Sequence, residues 1–168
     1  MRLFLAVLVA CLISACGGDS SGPSDVFPNA AGVYNVSGSF DGLSSSDAHF
    51  EGTLTLTQAS RQTGTLGGTA AYLVTINGQL FNINDTSIDG AAISPAGVVT
   101  FSLVDGGDSW TFSGTLSGTA LVSGRHTLST SSGSVSGAWN ASRATAAIQS
   151  RISRACLSLA GLAKLIAR

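Results

Sequence analysis

Few side chains in this 168-residue sequence could carry out chemistry. The two histidines, His49 and His126, are far apart and have no cysteine or glutamate nearby at metal-ligand spacing. Each lies among serines and threonines in a stretch of period two, so both read as solvated positions on a sheet. The 26 serines include no Gly-x-Ser-x-Gly elbow, and no strand-to-helix alternation would present one as a nucleophile. Glu51 is the only glutamate and the aspartates cluster in turn sequences, so no general acid and base pair can be assembled. Asn84-Asp85-Thr86-Ser87-Ile88-Asp89-Gly90 and Asp105-Gly106-Gly107-Asp108 offer oxygen ligands that a hard cation could take. Neither has the terminal glutamate of a calcium-binding loop, and tight turns already account for Asp-Gly pairs. The expectation is therefore a non-enzymatic chain with no metal site and no cofactor.

Cysteine chemistry is the exception. Met1-Arg2 forms a short positive region, and Leu3 to Ile13 is an unbroken apolar run of eleven residues. Spanning a bilayer takes roughly 20, so the run fits the apolar core of an export signal. It is followed by Ile13-Ser14-Ala15-Cys16 and then Gly17-Gly18-Asp19-Ser20. This arrangement resembles the lipobox of bacterial lipoproteins: an aliphatic residue, two small residues and a cysteine directly after the apolar run. The resemblance implies diacylation of the Cys16 thiol, cleavage before it and acylation of the new amino terminus. Gly17 is not the aspartate that, in that family, retains lipoproteins in the inner membrane, so a cell-envelope protein anchored in the outer membrane is implied. Each buried methylene adds about 0.8 kcal/mol to such an anchor. The alternative is an ordinary secretory signal cleaved near Ala15, with Cys16 a bystander. If Cys11 leaves with the signal and Cys16 carries lipid, only Cys156 remains, and the fold must stand without an internal disulfide.

The elements that must position these residues are strands. Gly, Ser and Thr together supply 62 positions, whereas lysine and glutamate occur once each, which argues against a helical bundle. At 44 % hydrophobic, the chain is too apolar for a charged disordered one. Residues 17–31 hold two of the three prolines and read as a flexible stretch, so residues 16–31 form a lipid-anchored linker. Residues 32–142 alternate apolar and polar positions, as in Thr53-Leu54-Thr55-Leu56-Thr57. Strands are expected over 32–40, 49–58, 62–69, 70–77, 79–84, 97–104, 109–117, 118–128 and 133–141, with a further one over 86–93. Hairpin signals fall at Asp41-Gly42, Asn77-Gly78, Asp89-Gly90, Asp105-Gly106-Gly107 and Ser132-Gly133. Phe50-Glu51-Gly52-Thr53-Leu54 recurs as Phe112-Ser113-Gly114-Thr115-Leu116, and such strand glycines suggest bends where a sheet curls. The expected fold is all-β: an antiparallel up-and-down barrel of about eight to ten strands, with a β-sandwich as the alternative. In layout this segment weakly resembles the small lipocalin and avidin-like barrels, but no ligand residue can be carried over by position.

Nine strand aromatics remain, Tyr34, Phe40, Phe50, Tyr72, Phe81, Phe101, Trp110, Phe112 and Trp139, and core filling explains them. Should the barrel be hollow, Trp110, Phe112 and Trp139 are the expected walls of a ligand pocket. Such a protein would carry a small apolar ligand, in place of a structural or interaction module. Residues 17–142 hold nine carboxylates and two arginines, whereas residues 143–168 hold Arg143, Arg151, Arg154, Lys164 and Arg168 and no carboxylate. That basic tail fits an amphipathic helix with Ile148, Ile152, Ala155, Leu159 and Leu162 along one stripe. It could cover the acidic β domain, lie on an anionic membrane surface, or serve a partner. The acidic charge of the domain argues against nucleic acid as a partner. The membrane, through Cys16, is the partner implied most directly.

Overall fold

A computed structural model describes residues 26–144. The export signal, Cys16, most of the linker and residues 145–168 lie outside the described residues. Nine strands follow in order: β1 Gly32–Ser39, β2 Ala48–Thr57, β3 Gly67–Ile76, β4 Gln79–Ser87, β5 Asp89–Ile93, β6 Val98–Asp105, β7 Asp108–Ser117, β8 Ala120–Thr130 and β9 Gly133–Arg143. They form one sheet in the order β4-β3-β2-β1-β9-β8-β7-β6-β5, with every strand pair antiparallel. The first strand meets the last, from Tyr34 opposite Arg143 to Gly38 opposite Trp139.

The two strands at the ends of that order are consecutive in the chain, separated only by Ile88. They act as one bent stave. Its first part pairs with β3, and its last part pairs with β6 through Asp89–Ser102, Ala92–Thr100 and Ile93–Val99. The segment before β3 follows β5 round the bend. Ile88 N donates to Gly68 O at 3.2 Å, Leu66 N to Ala91 O at 2.9 Å and Ile93 N to Gly64 O at 2.7 Å. The fold is an up-and-down barrel rather than a sandwich.

The strand expectations differ from the structure mainly at this bend. Residues 62–69 and 70–77 are not two hairpin strands; a single β3 runs from Gly67. The glycine at 68 has φ +146, and a Cβ there would lie 1.8 Å from Thr55 O; the chain follows β5 up to Leu66 and joins β2 at Gly67, opposite Thr57. Asp89-Gly90 likewise begins β5 instead of forming a hairpin, and Asp85 at φ 35 takes up the bulge opposite Ala70 and Tyr72. Asn77 and Gly78, at φ 49 and 75, do form the expected two-residue hairpin turn. Residues 26–31, expected in the linker, are held to the barrel: Phe27 N donates to Arg61 O at 3.1 Å and Ala30 N to Gln58 Oε1 at 3.1 Å. Arg143, expected to open the tail, closes β9 instead.

Alternation sorts the faces. The interior takes Tyr34, Phe50, Leu54, Tyr72, Val74, Phe101, Leu103, Trp110, Phe112, Leu128 and Trp139, all buried. The outer face carries rows such as Ser136, Thr127, Thr111 and Ser102 across β9, β8, β7 and β6. A lipid-embedded barrel needs an apolar outer band, and this hydroxyl-rich face is the reverse of one. The strand glycines act partly through bulges, at Ser113–Thr115 and Leu121–Gly124. They also make room for rings. A Cβ at Gly38 would lie 2.2 Å from Phe50 Cζ, and one at Gly124 would lie 2.5 Å from Trp139 Nε1.

Candidate functional site

The interior is where chemistry-bearing side chains converge. Trp110 and Phe112 project inward from β7 and meet at a ring-centroid distance of 5.0 Å. Trp139 stands on β9 with its ring perpendicular to Phe112 at 5.6 Å. The three expected pocket residues are therefore neighbours. Other rings occupy the space between them. Phe50 reaches across from β2 to within 4.9 Å of Trp110, and Phe101 stacks on Phe112 at 4.8 Å. Tyr72 lies 5.7 Å from Phe112, and Phe40 stacks on Trp110 at 6.0 Å. Edge-to-face and offset contacts of this kind add about 0.5–1.5 kcal/mol each beyond area burial.

His126 is the polar centre of this cluster. It was expected on the solvated face. It is instead 1 % exposed, because Leu128 and Gly124 share its side of β8 and point inward. The Trp110 indole can only donate, and its Nε1–H reaches His126 Nδ1 at 3.0 Å. The proton of the neutral ring therefore sits on Nε2, which donates to Ser39 O at 2.8 Å. Both nitrogens are engaged, so the ring has no free lone pair for a metal or a transferred proton. Burial lowers its pKa below the usual histidine value. The bond to Ser39 O opposes this, Arg125 adds to it, and Asp41 opposes it more weakly. Arg125 itself is paired with Asp41 outside the barrel. His49 does lie on the outer face, opposite Ser39 and Thr75.

Two further polar anchors hold the staves. Trp139 Nε1–H sits between Ser113 O at 2.9 Å and Arg125 O at 3.0 Å, joining β7 and β8 beside their bulge. Tyr34 Oη donates to Ala30 O at 2.8 Å and accepts from Arg143 Nη2 at 3.2 Å. Tyr72 is the exception: its hydroxyl is buried with no hydrogen-bond partner, and burial drives its pKa far above the usual tyrosine value.

Openings lie on the surface. A depression over β6, β7 and β8 is walled by Thr100, Ser102, Thr111, Ser113, Arg125 and Thr127, and Phe101, Phe112 and His126 also border it. Another lies at one end, between Asp105–Asp108 and Ser129–Ser131, where the buried Asp108 carboxylate accepts from Ser131 N at 3.4 Å. The oxygen-rich 84–90 segment is not part of it. Among the described residues, no three His, Cys, Asp or Glu side chains are grouped to hold a metal ion.

The pocket residues were legible as aromatic strand positions. Phe50, Phe101, Tyr72 and His126 were missed as their companions. Parity alone would have turned His126 inward, since it lies two residues before the apolar Leu128. Comparisons with protein-family models, with curated proteins and with solved structures found no match.

Proposed function

We propose that this chain is a lipid-anchored bacterial cell-envelope protein whose β barrel is a non-enzymatic structural or interaction module. The anchor rests on the Ile13-Ser14-Ala15-Cys16 sequence directly after an apolar run of export-signal length. Acyl chains on Cys16 would hold the protein at a membrane, with the outer membrane favoured by Gly17 and a short linker between lipid and barrel. The observation that carries the module reading is the interior: Phe50, Phe101, Trp110, Phe112 and Trp139 pack against one another at centroid distances from 4.8 to 6.0 Å. A carrier of a small apolar ligand needs that volume free. Inside, Tyr34, Trp110, His126 and Trp139 use their polar atoms to hold staves together, so a role in display or contact fits the barrel better than turnover.

Two measurements test the two halves. Mass spectrometry of the N-terminal peptide, after expression in a bacterium with an outer membrane, should show Cys16 as the first residue with thioether-linked and amide-linked acyl groups. An unmodified Cys16 refutes the anchor. Tryptophan emission from Trp110 and Trp139 should stay unmoved across a panel of lipophilic and small aromatic compounds. A saturable shift with one of them would replace the module with the carrier.

A further inference from the structure

The outer face of β2, β3 and β4 carries polar atoms that are shut away from water and unpaired. Asn82 of β4 stands opposite Leu73 of β3, which stands opposite Glu51 of β2. The flanking pairs Tyr72–Ile83 and Val74–Phe81 point inward, so Asn82 points outward. Outward residues elsewhere are solvated, yet Asn82 is 1 % exposed, and neither Oδ1 nor Nδ2 has a hydrogen-bond partner. In the adjacent row, His49 stands opposite Thr75, and Thr75 opposite Leu80. The His49 Nδ1 is likewise buried and unpaired. An orphaned polar group costs about 1–3 kcal/mol, and two in neighbouring rows mark a face whose enclosed polar atoms would gain from a segment that brings hydrogen-bonding groups.

We propose that residues 145–168 of this same chain dock on that face, over Asn82 and His49. This goes beyond the module reading and does not depend on the lipid anchor. Charge favours this occupant. Glu51 is exposed in the row of Leu73 and Asn82, whereas Arg125 and Arg143 lie on β8 and β9 and Arg61 lies in the connection from β2 to β3. The segment brings Arg151, Arg154, Lys164 and Arg168 and no carboxylate. Its apolar residues Ile148, Ile152 and Leu159 match Leu73 and the 61 %-exposed Leu80. Length allows it. The chain leaves the barrel at β9, four ladders from β4, and adjacent strands are about 4.8 Å apart, so the way round is about 20 Å. The 24 residues after Ala144 would extend about 36 Å as a helix. Arginine and backbone N–H groups of the segment would donate to Asn82 Oδ1, and its carbonyls would accept from Nδ2.

Hydrogen–deuterium exchange on the full chain tests this, with 79–87 as the reporter and 120–130 as the internal control. In the wild type, 79–87 should exchange slowly at every protein concentration. Two variants, Arg151→Glu with Arg154→Glu and Ile152→Asp with Leu159→Asp, should each speed that peptide at least tenfold and leave 120–130 unchanged. Unchanged exchange in 79–87 overturns the proposal. So does protection that grows with protein concentration, which would assign the face to a second copy, or protection seen only with anionic vesicles, which would assign it to a membrane.

Discussion

Removing the same atom from two buried tyrosines should move stability in opposite directions. Tyr72 and Tyr34 are both fully buried, on β3 and β1. The Tyr72 hydroxyl has no partner, while its ring is held by Phe50 at 5.5 Å and Trp110 at 5.8 Å. Tyr72→Phe keeps those ring contacts and deletes an orphan whose desolvation costs about 1–3 kcal/mol. The small void left behind returns a few tenths of that, at about 24 cal/mol per Å³. The net expectation is a gain of about 1 kcal/mol. Tyr34→Phe deletes the donor to Ala30 O and the acceptor of Arg143 Nη2, so a buried carbonyl is left without its partner. That variant should lose about 1–2 kcal/mol. Urea unfolding of the full chain followed by tryptophan emission reads both, and thermal midpoints should separate by about 8 °C, taking about 4 °C per kcal/mol. If Tyr72→Phe is destabilised as much as Tyr34→Phe, its hydroxyl is paired and the interior has been misread.

Other outcomes follow from the same interior. Because the folded pKa of His126 is lowered, the unfolded chain binds a proton below its pKa of about 6.5 while the folded barrel does not, so stability falls as pH drops through that range. Urea midpoints at pH 7.5 and 5.0 should show this loss, and His126→Gln should be weaker at pH 7.5 yet lose less on acidification; equal losses would remove His126 as the cause. Gly124→Ala should cost about 3 kcal/mol, because its Cβ would lie 2.4 Å from Trp139 O, and near-wild-type stability would show that the bulge yields. Trp139→Phe should cost about 2 kcal/mol through the two carbonyls it leaves unpaired on β7 and β8, with faster amide exchange beside that bulge as the structural readout.

The barrel was legible because its determinants are local. Alternation in Thr53–Thr57 or Val99–Leu103 needs only a strand with one wet face, and Asn77-Gly78 needs only its own φ angles. The way the barrel closes was not legible, because it depends on one stave changing partners. Ile88 is bonded to Gly68 where the chain joins β2, close to the bulge at Asp85, and no window of sequence shows that both events meet in space. The expected strand over 86–93 was therefore correct in place, while its role as the closing stave stayed hidden.

The candidate site shows the same division. Trp110, Phe112 and Trp139 could be named from residue type, and they do meet. What decides between pocket and core is the size of the side chains arriving from the other staves, and here glycines and rings are matched across strands. Gly38 leaves room for Phe50, Gly124 for Trp139 and Gly137 for His126, whose Nε2 would lie 2.4 Å from a Cβ at that position. Each small residue is needed because a large one faces it, so the repeated glycines belong to the packing of the interior as much as to the curl of the sheet. A barrel filled this way needs no ligand to occupy its interior. Its outer rows of serine and threonine, and the face around Asn82, are then the surfaces left for contact with other molecules or with the rest of the chain.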